Sequence, residues 1–167
     1  MTYKFKNRYY KNRKSHCFTM NEFAIEGKLS ITHLLNTNVL DYEIQPQQVR
    51  SSTNSNYLKG LFNPVPLTSD DFKFINANGV YHYLEGFSDS EEEWGIDKPL
   101  FKNLLKEFKK STENTLDGCF LISKDWFDKE SKKVRSREFT LYDYYILIIW
   151  VDKNDTSKLY ISEWYSD

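Results

Sequence analysis

Two cysteines and three histidines are the side chains here suited to act as nucleophiles or soft metal ligands, and their spacing limits what they could do. His16 and Cys17 are adjacent, but His33, His82 and Cys119 stand far apart, so the ligand spacing of a zinc module is missing. Cys119 with a distant histidine could in principle form a nucleophile and base. Its neighbours Phe120, Leu121 and Ile122 instead indicate an apolar strand, where a thiol loses acidity and reactivity. Both cysteines read as reduced, buried thiols. Asp70 with Asp71, or Asp125 with Asp128, has the residue types for general acid and base work, yet such acids are common on any folded surface. The six glycines form neither a phosphate loop nor a Gly-x-Ser-x-Gly elbow. The expectation is a protein with no catalytic residues, no cofactor and no metal, and an enzyme of unrecognised type is kept as the third reading.

Two charged stretches are better suited to recognition. Asp89, Glu91, Glu92, Glu93 and Asp97 gather around Trp94, which combines carboxylates for steering with a large ring for an anchoring contact. A solvated loop has the same composition. As an interface it would take a basic partner, such as an enzyme whose positive cleft grips phosphates. At the other extreme, residues 1–20 hold no acid, and Lys4, Lys6, Arg8, Lys11, Arg13 and Lys14 alternate with Tyr3, Phe5, Tyr9 and Tyr10. An extended arm of this kind could follow a nucleic-acid backbone while its rings stack on bases, through Lys4, Lys6, Arg8, Tyr9, Tyr10, Lys11, Arg13 and Lys14. It equally suits an edge strand whose lysines discourage further pairing, so residues 1–15 are expected to be a basic arm or an edge strand.

These stretches need a scaffold, and the hydrophobic pattern supplies one. Residues 142–151 make the longest apolar, β-branched and aromatic run, which predicts a long central strand near 138–151 buried on both faces. Polar residues 152–158 then predict a turn into a second strand, Leu159–Trp164. Leu100, Phe101, Leu104, Leu105 and Phe108 fall on one helical face, with Asp97 as N-cap and Pro99 in the first turn, so an amphipathic helix is expected near 98–110. Asp117-Gly118 marks the turn after it, and Cys119–Ile122 reads as a short strand.

Phe72–Ile75, Asn76-Ala-Asn-Gly79 and Val80–Leu84 predict a hairpin closed by Asn78-Gly79. Glu26-Gly27-Lys28 predicts either a hairpin turn or a strand-to-helix junction. Val39–Ile44 resembles a strand stopped by Pro46, and residues 45–66 a long surface loop in which Tyr57 marks a second candidate contact surface. Residues 124–137 are loop-like.

The fold class implied is α+β: one domain over residues 1–167, mainly antiparallel sheet with at least one packed amphipathic helix. Aromatics make up 17% of the chain and alanine occurs only at Ala24 and Ala77, which favours sheet over a helix bundle. The net charge of −1 argues against a general polyanion binder. The basic N-terminal stretch is followed by no apolar signal segment, and no run approaches about 18 apolar residues. A cytoplasmic protein without a membrane span is the expectation.

At the C-terminal end, Ile161-Ser-Glu-Trp164-Tyr-Ser-Asp167 is similar to the Ile-Ser-Glu-Trp-His-Thr-Asp segment of some bacterial contact-dependent growth inhibition immunity proteins. The resemblance implies a small cytoplasmic protein, not an enzyme, that binds and neutralises a cognate toxin domain, often a nuclease. Together with the acidic stretch it makes an immunity protein with a basic toxin partner the first reading, with Asp89, Glu91, Glu92, Glu93, Trp94 and Asp97 as contact residues. A nucleic-acid-binding accessory protein is the second.

Overall fold

The apolar run near the C-terminus forms β5 (Tyr144–Val151), and its alternation decides the architecture. Tyr144, Ile146, Ile148 and Trp150 join one apolar cluster, Leu147 and Ile149 the other, so the strand is buried on both faces. The computed structural model describes residues 2–13, 16–37, 39, 68–90, 98–123 and 144–166. The strand begins at Tyr144 where a start near 138 was expected, and residues 138–143 lie outside the described residues. So do residues 40–66 and 124–137, which include the expected strand beyond Val39 and the loop around Tyr57.

Around β5 runs a six-stranded antiparallel sheet made of β1 (Tyr3–Arg13), β2 (His16–Ile25), β3 (Lys73–Asn76), β4 (Gly118–Ile122), β5 and β6 (Lys158–Ser166), in the spatial order β1-β2-β6-β5-β4-β3. Val151 pairs with Leu159 across the 152–157 turn, as the polar residues there predict. Two short Asp turns build that connection: Asp152 Oδ1 accepts from Asn154 N at 2.8 Å, and Asp155 Oδ1 from Ser157 N at 3.1 Å. The fold is α+β.

Helices α2 (Ala77–Ser90) and α3 (Lys98–Thr112) cover one sheet face. α3 matches the expected helix, with Phe101, Leu104, Leu105 and Phe108 buried, each contributing roughly 1.5–3 kcal/mol by burial. Phe108 meets Trp164 edge-on at 5.2 Å and Phe18 at 5.5 Å, while Phe18 stacks on Trp164 at 4.9 Å. Ring pairs of this kind add roughly 0.5–1.5 kcal/mol each beyond their area. On the other face, α1 (Ile31–Leu35) packs Leu34 and Leu35 with Phe23, Ile25, Leu147, Ile149, Leu159 and Ile161. The Glu26-Gly27-Lys28 stretch is a strand-to-helix junction, where Gly27 takes a φ of 90° and Ser30 Oγ accepts from His33 N at 3.3 Å to start α1.

The hairpin expected over Phe72–Leu84 is corrected. Lys73–Asn76 is β3, pairing with β4, and Val80–Leu84 lies within α2. Asn76 Oδ1 accepts from Gly79 N at 2.7 Å, so asparagine caps a helix here in place of the tight turn that the sequence predicts. The spacing of Val80, Leu84 and Phe87, all buried in the cluster beneath α3, then carries the helix. An i, i+4, i+7 apolar face outweighs a dipeptide turn signal.

Candidate functional site

The fold places most chemistry-bearing side chains where they support packing. Cys119 is fully buried beneath α2 and α3, and that burial pushes its thiol up to about 12. Cys17 is buried on β2 with its sulfur 3.4 Å from Tyr10 Oη. Both cysteines are free, and three strand spacings of roughly 4.8 Å separate β2 from β4, beyond disulfide reach.

The histidines occupy three separate sites. His16 is buried against Tyr144, with Nδ1 3.2 Å from the phenolic oxygen and the rings stacked at 5.9 Å. His33 stacks on Tyr3 at 6.0 Å, and His82 is exposed 3.5 Å from Glu85. Among the described residues no group of three His, Cys, Asp or Glu side chains is arranged to hold a metal. Asp71 Oδ2 accepts from Thr68 N at 2.7 Å, which gives that carboxylate a turn-closing role beside Asp70. Asp125 and Asp128 lie outside the described residues.

The basic aromatic arm is an edge strand. β1 pairs with β2 from Tyr3↔Ile25 to Arg13↔His16, with an irregularity between Phe5 and Asn7 that leaves Lys6 outside the ladder. The structure divides the residues proposed for nucleic-acid contact. Glu107 on α3 ion-pairs with Arg13 and, at 3.6 Å, with Lys11. Arg8 Nε donates to Asn21 Oδ1 at 2.7 Å, and Tyr9 packs on Phe18 at 5.9 Å. Lys4, Lys6, Phe5 and Tyr10 face solvent, and Lys14 lies outside the described residues. Two of the cations thus meet a carboxylate, a partner that sequence reading missed because Glu107 is 94 residues from Arg13.

The acidic stretch begins on α2. Asp89 is exposed, its carboxylate 3.2 Å from Lys102 Nζ, while its carbonyl accepts from Lys98 Nζ at 3.5 Å. The last turn of α2 is thereby held next to the first turns of α3. A carboxylate at a helix C-terminus adds to the negative end of the helix dipole, and the two lysines offset that cost. Glu91, Glu92, Glu93, Trp94 and Asp97 lie outside the described residues, in the segment that joins Ser90 to Lys98.

The Ile161-Ser-Glu-Trp164 stretch is interior. All four residues lie in β6 and are buried, Ile161, Ser162 and Trp164 completely. Glu163 accepts from Thr19 Oγ1 at 3.4 Å on the neighbouring strand β2. The segment that carries the family resemblance is therefore packing material at the centre of the sheet. No helix among the described residues is long and apolar enough to cross a membrane. The chain matches no family model, no curated protein and no solved structure.

Proposed function

We propose that the chain is a non-enzymatic immunity-type protein of the bacterial cytoplasm that neutralises a cognate basic toxin domain by binding across its active site. The observation that carries this reading is Asp89: an exposed carboxylate at the C-terminal end of α2, placed where the segment holding Glu91, Glu92, Glu93, Trp94 and Asp97 departs. The contacts of Asp89 with Lys98 and Lys102 hold the end of α2 beside the start of α3, and the charge of the sequence between them suits a phosphate-binding surface. The burial of Cys119, His16 and Glu163 supports the same reading, since these groups are built into the core.

The test is kinetic. Association of the chain with its toxin domain is followed by stopped flow from low to moderate salt, using the native chain and an Asp89→Lys, Glu92→Lys, Glu93→Lys variant. Reversal should slow association by roughly tenfold or more at low salt and flatten its salt dependence. Unchanged rates would remove the acidic segment from the interface.

A further inference from the structure

Where β2 and β5 end and β4 begins, the surface holds a concavity of about 770 Å³. Ile25, Leu29, Phe74, Phe120 and Val151 give it an apolar lining. Phe74 is the most exposed large apolar side chain among the described residues, at 67%. It stands edge-on to Phe120 with centroids 5.1 Å apart, and its ring lies over Gly118, where a Cβ would come within 2.5 Å of Phe74 Cζ. Glycine at 118 is what lets the aromatic wall lie close to the backbone.

The Trp150 indole lies on the opposite face of the sheet, in the cluster beneath α2 and α3, where it stacks on Tyr160 at 5.1 Å and directs its N–H toward Thr115 Oγ1 at 3.4 Å. Among the described residues the charged lining is Lys28 and Lys153 against one carboxylate, Asp117. Lys153 Nζ donates to the Glu113 carbonyl at 2.8 Å, which restrains that side chain.

We propose that this groove binds a small amphipathic organic anion, an aromatic or branched-aliphatic body carrying one carboxylate or sulfonate. The volume lies within the roughly 300–1,000 Å³ typical of small-molecule sites, and an apolar lining with few charges is their usual composition. Two cations against one anion select the sign of the ligand's charged end. Asp117 favours a single anionic group over a dianion. The inference is independent of the immunity reading, because it uses other residues.

The experiment titrates 8-anilinonaphthalene-1-sulfonate into the full chain, reading dye fluorescence and tryptophan quenching. Bound dye is then displaced with 4-phenylbutyrate or, separately, with 4-phenylbutylamine. One saturable site is expected, displaced by the carboxylate and not by the amine at equal concentration. Phe74→Asp and Lys28→Glu should each weaken dye binding by about fivefold or more. Both substitutions are at exposed positions, and thermal melts check that each variant folds; if Phe74→Asp melts early, Lys28→Glu carries the test. Absence of a saturable site, equal displacement by amine and carboxylate, affinities unchanged by the variants that fold, or a sedimentation shift showing that a second copy fills the groove would each overturn the proposal.

Discussion

Arg13 on the sheet's edge strand and Glu107 on α3 form an ion pair, and the same carboxylate holds Lys11 at 3.6 Å. One acid on a helix thus ties down two cations of a strand that reads, by composition, as a nucleic-acid arm. All three side chains remain partly exposed, so the contact is worth at most about 1 kcal/mol in stability. Its larger consequence is electrostatic.

Glu107→Ala should leave the melting temperature within a few degrees of the native value and raise retention on single-stranded DNA at low salt, because Lys11 and Arg13 lose their partner. Removing β1 would be a poor test of the arm, since it would expose the edge of β2. Lys4→Glu with Lys6→Glu isolates the solvent-facing cations instead. If the native chain already binds DNA tightly and that double variant abolishes it, the nucleic-acid reading overtakes the immunity reading.

Asn76→Ala should destabilise the protein by about 1 kcal/mol in urea unfolding, because Gly79 N loses its capping oxygen. Asn76→Asp should retain most of the stability. Equal losses in both would show that Asn76 matters for something other than the cap.

The pairing of Glu85 with Lys109 also makes a pH prediction. The Lys109 ammonium, hydrogen-bonded to the Glu85 carboxylate, holds that carboxyl below its ordinary value of 4.5, and His82 lowers it further. A depressed folded pKa favours the folded state above 4.5, and that contribution fades as pH falls through the lowered value. Lys109→Met should move the Glu85 titration, followed by carboxyl NMR shifts, back toward 4.5. A titration that stays put would mean the ion pair does not persist in solution.

Cys119 should resist thiol reagents at pH 8 in the folded protein and react once denaturant unfolds it, since burial pushes its thiol up to about 12. Rapid labelling of Cys119 under native conditions, read by mass spectrometry of the Cys17→Ser variant, would revive the nucleophile reading.

The elements legible in the sequence were those whose period and length agreed. β5, β6 and α3 each show one unbroken pattern, and the 152–157 turn carries its own polar chemistry. α2 was hidden because Asn78-Gly79 is a strong local turn signal, while the forces that override it, the Asn76 cap and the buried Val80, Leu84 and Phe87, act through contacts with α3 and the sheet. The arm showed its strand character, but its partners did not show, because β2 and Glu107 are set by tertiary register. The Phe74 groove had no signature at all: it joins residues from Ile25 to Ser157 that meet only after the sheet forms. Asp89 was visible as one acid among several, and its position at a helix end was not.

The most direct measurement of the central claim mixes the purified chain with the basic toxin domain that the proposal requires, sought among the products of adjoining genes, and follows both complex formation by calorimetry and toxin activity in the same samples. The account predicts a one-to-one complex with toxin activity falling in proportion to added chain, and a weaker effect from the Asp89→Lys, Glu92→Lys, Glu93→Lys variant. Full toxin activity at a several-fold molar excess of folded chain would contradict it.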